Sequence, residues 1–179
     1  YASTTEPARI LHASLKDNLL DKTNWKSYTI PGFPVDNSVD KVILFNNQLF
    51  YLSKNKGVYY ESGGTTATLG SNASMNNMKV IGDKLACIAN SRVYLFTNTK
   101  TFVQINNLTI KDISTYQTNT YWIAEGDKGL RSIKRTGTNR FEAVNEAMTL
   151  NGPYFNSSYK IVCKNDNVYV IPGGKGITD

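Results

Sequence analysis

The stretch Thr120-Tyr121-Trp122-Ile123-Ala124-Glu125-Gly126-Asp127-Lys128-Gly129-Leu130-Arg131 decides how this chain is read. Its aromatic and β-branched first half has the character of a strand, a polar turn with glycine follows, and Gly129-Leu130 opens a second strand, which together make a β-hairpin. The same pattern stands twice earlier. Gln48-Leu49-Phe50-Tyr51-Leu52 is followed by Gly57-Val58-Tyr59, and Lys84-Leu85-Ala86-Cys87-Ile88 by Arg92-Val93-Tyr94-Leu95. Leu49, Leu85 and Tyr121 are spaced 36 residues apart, and so are Asn47, Asp83 and Asn119. Asn or Asp suits a hairpin turn because these side chains bond to nearby backbone and tolerate φ above zero.

Working outward, each copy reads as four strands. The first spans 41–69, with strands at Lys41 to Phe45, Leu49 to Leu52, Val58 to Glu61 and Thr66 to Leu69. In the second, 78–105, they are Met78 to Ile81, Leu85 to Ile88, Val93 to Phe96 and Phe102 to Ile105. In the third, 110–144, they are Ile110 to Thr115, Tyr121 to Ala124, Leu130 to Lys134 and Phe141 to Val144. A fourth copy, 159–179, holds Tyr159 to Cys163, the turn Asn165-Asp166 and Val168 to Ile171, with Gly176-Ile177 in the place where other copies open a third strand. Asn119 to Asp166 is 47 residues, so an insertion is expected at Glu142 to Phe155, with a short helical turn over Glu142 to Met148. Residues 8–30 make a leading half unit. There Ile10, Leu11, Leu15 and Leu19 fit helical spacing, while Ile10 to Ser14 fits a strand equally, ahead of a turn and the strand Trp25 to Ile30. Pro31-Gly32-Phe33-Pro34 ends that strand, and residues 1–7 read as a loose end.

Units of about 40 residues with four short antiparallel strands are the signature of β-propeller blades. The expected fold is therefore all-β, a partial β-propeller of three whole four-stranded blades and two terminal halves, forming one segment over 1–179. Each blade buries both faces against neighbours, which accounts for apolar runs such as Val42-Ile43-Leu44-Phe45 in place of strict alternation. Open blade edges would allow self-association.

Composition agrees with a globular β domain: 40% of the 179 residues are hydrophobic and eleven are tyrosine. The net charge of +6 favours an anionic partner, but the basic residues are dispersed, with loose groups only at Lys54/Lys56, Lys128/Arg131/Lys134/Arg135 and Arg140. Protein partners or an anionic glycolipid or carbohydrate are expected, and nucleic acid is not. No apolar run is long enough to span a bilayer. Cys87 and Cys163 fit buried free thiols, with a disulfide as the alternative. His12 is the only histidine, so neither a zinc centre nor a base-assisted nucleophile is supported. Gly173-Gly174-Lys175-Gly176 lacks the Ser or Thr of a phosphate loop. A non-enzymatic module without cofactor or metal is the expectation.

Binding is the class that remains. The basic and aromatic candidates are Phe33, Lys54, Lys56, Lys128, Arg131, Tyr154 and Phe155. Glu125 and Asp127 read first as acids of a solvated turn. Even so, the acidic-basic loop from Glu125 to Lys128 is peculiar to the third copy, where Trp122 aligns with Phe50 and Ala86 and reads as packing.

These residues also resemble a known family. Ile10 to Leu15 with Asn18-Leu19-Leu20-Asp21 and Trp25 is similar to the strand and N-L-L-D-x-x-x-W segment of PorZ-like propellers of the type IX secretion system of Bacteroidota. Tyr121 to Ala124 with Gly129-Leu130 is similar to those blades and to L-W-I-G-T-x-x-G-L blades of two-component regulator propellers, with Ala124-Glu125 departing from the regulators' Gly-Thr. The resemblance implies an extracytoplasmic accessory of protein secretion, in the periplasm or at the outer-membrane surface. A ligand-sensing propeller of a hybrid two-component regulator is the alternative.

Overall fold

A computed structural model describes residues 2–3, 9–34, 38–54, 56–69, 74–89, 92–97, 102–106, 109–126, 128–137, 140–144 and 158–172. The chain divides into two compact units, 1–79 and 80–179. Among the described residues the strands form five antiparallel sheets. The first is β1 (Ala2–Ser3), β2 (Arg9–His12) and β3 (Lys26–Thr29); the second is β4 (Lys41–Phe45), β5 (Gln48–Ser53), β6 (Gly57–Ser62) and β7 (Thr65–Thr68). The third comprises β8 (Met75–Ile81), within which the unit boundary falls, β9 (Lys84–Ala89), β10 (Arg92–Phe96) and β11 (Phe102–Asn106). The fourth is β12 (Asp112–Gln117), β13 (Thr120–Ala124), β14 (Leu130–Arg135) and β15 (Phe141–Ala143), and the fifth is the hairpin β16 (Ser158–Lys164) and β17 (Asn167–Pro172). Strands neighbour one another in sequence order throughout, so each sheet is a meander closed by local hairpins.

Turn chemistry sets the registers. Asn46 and Asn47 have φ of 48° and 58°, and Asn165 and Asp166 have 48° and 61°; two left-handed residues in a two-residue loop are the type I′ arrangement whose twist matches the flanking strands. The Gly82-Asp83 turn differs from its sequence reading. Here Gly82 is the left-handed residue, at φ 59°, and Asp83 instead pairs with Lys84 at 2.5 Å. That contact draws the Asp83 carboxyl below its usual range. At Asn119 (φ 64°) the register shifts between Thr115 and Gln117, a bulge that absorbs a longer loop.

The leading segment is a strand rather than a helix. Leu15 and Leu20 are about nine-tenths exposed, at 90% and 92%, so no apolar helical face exists there. The N-L-L-D-x-x-x-W segment folds on itself instead. The Asn18 side chain accepts from the Leu20 amide, Asp21 accepts from the Thr23 amide and hydroxyl, and the Trp25 indole donates to the Leu19 carbonyl. Ala2 and Ser3, expected in a loose end, pair with Leu11 and Ile10.

Packing follows strand alternation. On β13, Tyr121 and Ile123 join a buried cluster with Ile81, Ala86, Ile88 and Val93. Ala124 joins Leu130 and Ile161, with Trp122, Val168 and Val170 packed against them. Successive side chains of one strand thus serve two different neighbours. In the first unit, Ile10, Ile30, Phe33, Val39 and Tyr51 form a corresponding cluster. Burial on both faces does not extend to every strand. Leu44 on β4 and Val80 on β8 are 58% and 43% exposed, because these strands run along sheet edges covered from fewer directions.

Two stability outcomes are expected in urea titrations. Ile123→Ala removes a fully buried side chain between two sheets and lowers the unfolding free energy by about 2–5 kcal/mol. Gly82→Ala costs about 1–2 kcal/mol because the turn needs a left-handed residue, while Asp83→Ala, on an exposed side chain, changes stability by less than about 0.5 kcal/mol.

Candidate functional site

Among the described residues, the β13–β14 hairpin holds a group of charged side chains in which a buried acid meets exposed basic ones. Its last strand pair is Ala124 with Leu130, so Glu125 leaves β13 as Arg131 enters one residue into β14. The Glu125 amide donates to the Gly129 carbonyl (2.9 Å), and the Gly129 amide donates to that of Gly126 (3.1 Å). Gly126 and Gly129 both take left-handed φ, 61° and 82°. A Cβ on Gly126 would come within 3.3 Å of the Lys111 side chain, so glycine there lets Lys111 lie across the loop.

This winding turns Glu125 inward. Its side chain is fully buried, and its Oε2 accepts from Arg131 Nε at 2.7 Å. Oε1 is buried with no hydrogen-bond partner among the described residues. Arg131 stays about one-quarter exposed, at 26%. Lys128 and Lys111 are exposed and make no ion pair with an acid among the described residues. A carboxylate sealed beneath a guanidinium is held by it, and removing the Arg would strand a buried charge.

The other expected site residues separate from this group. Lys54 and Lys56 are exposed on the β5–β6 turn of the first unit, where the Lys54 amide donates to the Asp40 carboxylate at 2.7 Å. Phe33 is not an exposed contact residue. It is 7% exposed, with its ring edge-on to Tyr59 at 5.0 Å and to Tyr51 at 6.5 Å. Glu125 is likewise no solvated turn acid. Asp127, Tyr154 and Phe155 lie outside the described residues, as does most of the expected insertion.

Several polar residues were not singled out from sequence. Asp112 and Ser114 are buried on β12, accepting from the Ile161 and Cys163 amides of β16 at 3.0 and 3.1 Å. Their signal is the alternation Asp112-Ile113-Ser114, which puts two short polar side chains on one face of a strand. Lys111 carried no signal, since its position depends on the glycine geometry across the loop. Tyr28 and Tyr51 hydroxyls both donate to Glu61 Oε1 at 2.6 Å. Cys87 is buried and Cys163 half-buried, both as free thiols, and burial raises the Cys87 pKa far above the usual thiol range. No group of three potential metal-ligating side chains is found among the described residues.

With this geometry in place, known proteins can be compared. No family model matches the chain, and no curated protein matches it. Among solved structures, PorZ of the type IX secretion system of Porphyromonas gingivalis superposes with a TM-score of 0.66 at 21% identity, over 98% of this chain and 23% of that one. The β-propeller domain of Cps50 (Swd1) from Myceliophteria thermophila gives 0.60 at 10% identity, over 95% and 62%. The fold is that of a β-propeller segment. The extracellular domain of the hybrid two-component system BT4673 from B. thetaiotaomicron gives 0.55 at 17% identity, over 79% and 20%. The chain thus spans about a quarter or less of the PorZ and BT4673 chains it resembles. Among the described residues, no helix is long and apolar enough to cross a membrane.

Tyr121 supplies a pH test of this packing. Its buried hydroxyl has no hydrogen-bond partner among the described residues, and burial raises its pKa against the opposing pull of Lys84 and Arg135. A phenol raised in the folded state gives stability that is complete below about pH 10 and is lost as the pH climbs through the folded value. Tyr121→Phe is expected to be neutral or stabilising at neutral pH and to reduce the loss of urea midpoint between about pH 9 and 11.

Proposed function

We propose that this chain is a non-enzymatic binding module of an extracytoplasmic bacterial protein, acting as a scaffold in protein secretion of the type IX kind. The observation carrying this reading is the likeness to PorZ, which covers 98% of the chain and therefore its whole set of sheets. The site chemistry agrees. Glu125 is committed to Arg131, and the exposed groups beside it are cations suited to binding rather than proton transfer. The partner on this reading is a protein. Anionic glycolipid is the other ligand that Lys54, Lys56 and Lys128 would suit.

A second reading has the likeness to the BT4673 extracellular domain behind it: a sensing propeller of a hybrid two-component regulator. The Ala124-Glu125 step speaks against it, because a buried acid held by Arg131 occupies the place of the regulator pattern's Gly-Thr.

Deleting the coding region for residues 1–179 in the source bacterium separates these readings. The secretion reading expects cargo to accumulate in the periplasm and the protein to fractionate with periplasm or outer membrane. Undisturbed export together with a lost transcriptional response to a nutrient would contradict it in favour of the sensor. Retention of anionic lipopolysaccharide by the purified chain, abolished in Lys54→Ala/Lys56→Ala/Lys128→Ala, would identify glycolipid rather than protein as the partner.

A further inference from the structure

We infer that the Glu125–Arg131 pair forms a recognition site for a carboxylate bearing a nitrogen donor on its α-carbon, the group found at a peptide C-terminus and in a free amino acid. The inference rests on the binding-module reading and names the ligand class of one site within it.

The donors for the ligand's carboxylate come from Arg131. A guanidinium carries five N–H donors, and here only Nε is engaged, by Glu125 Oε2. Arg131 has no other partner among the described residues, so both Nη groups are left for a ligand on a side chain that still reaches solvent. Two parallel Nη–H bonds match the oxygens of a carboxylate. Lys128, on the same loop, and Lys111, lying across Gly126, add positive charge without acidic partners among the described residues.

The acceptor for the ligand's N–H comes from Glu125. An orphaned carboxylate oxygen in a buried position is costly, and the missing partner must be a hydrogen-bond donor. A simple anion would satisfy Arg131 and leave Oε1 as it is. A ligand with N–H one carbon from its carboxylate satisfies both. Oε1 is buried, so binding includes a side-chain shift that uncovers it to the ligand's donor.

The competing surfaces are weaker. Val162, Tyr169 and Ile171 form an exposed apolar face on the last hairpin, but nothing in the structure identifies its occupant. Tyr28, Tyr51 and Glu61 satisfy one another within the first unit.

Titration of the full chain, followed through the backbone amide resonances of Gly126 and Gly129, tests the site. The probes are N-acetylated trialanine with a free carboxylate, its C-amidated twin, free L-alanine and sodium acetate. The free peptide, free alanine or both are expected to shift the two amides, with the amidated peptide and acetate much weaker. Which of the first two binds tells a peptide terminus from an amino acid. Arg131→Lys, which keeps the charge and loses the fork, is expected to weaken binding about tenfold. Lys54→Ala/Lys56→Ala, removing comparable charge elsewhere, leaves it unchanged. Circular dichroism and the thermal midpoint check that Arg131→Lys folds. Should it fail to fold, Lys128→Ala with Lys111→Ala replaces it, with a smaller loss expected. Equal binding of the amidated peptide or acetate, indifference to these substitutions, or no binding of any probe overturns the inference. Blocked secretion on deletion with no probe bound sinks the site alone, while bound probe with normal secretion sinks the functional reading alone.

Discussion

Everything else in this structure depends on one strand serving two neighbours at once. Tyr121 and Ile123 of β13 pack with Ile81, Ala86, Ile88 and Val93, while Trp122 and Ala124 pack with Leu130 and Ile161. A strand whose two faces are both apolar cannot be stable in an isolated hairpin, since one face would remain in water. It must lie between sheets. That need explains why the 36-residue unit is repeated and why Ile123, Ala86 and Leu85 have no measurable exposure.

Apolar stacking alone leaves sliding along the strands weakly resisted, and short polar contacts supply the resistance. Asp112 and Ser114 take the amides of Ile161 and Cys163, two residues apart, so a slip of β16 by one position would leave two buried acceptors and two backbone donors unpaired. In the first unit, Glu61 gathers the hydroxyls of Tyr28 and Tyr51, joining the first sheet to the second, and Thr66 donates to the Pro31 carbonyl beside them. The Glu125–Arg131 pair differs from these contacts. One of its oxygens has no hydrogen-bond partner among the described residues, the position that the proposed ligand's donor would fill.

The fold was legible because its signals are local. Hairpin turns at Asn46-Asn47 and Asn165-Asp166 declare themselves by residue type, and Asn47, Asp83 and Asn119 carry the 36-residue spacing. Even the misassigned left-handed residue at Gly82-Asp83 placed the turn correctly. The site was less legible, because burial depends on what crosses over a residue. Phe33 sits between Pro31 and Pro34 and so read as loop surface, yet Tyr51 and Tyr59 close over it. Glu125 read as a turn acid because only strand register places Arg131, six residues on, against it. The N-L-L-D-x-x-x-W segment carried fold information in its hydrogen bonds, which the spacing alone did not reveal.

Native-state hydrogen exchange resolved by residue tests the central claim, that the second strands of the second and third repeats, β9 and β13, are buried on both sides. The account predicts that the bonded amides of β13 and β9 exchange only through global opening of their unit, more slowly than those of β17, one face of which carries the exposed Tyr169 and Ile171. Exchange of β13 as fast as that of β17 would show that its second face is not held by a neighbouring sheet, and would contradict the account.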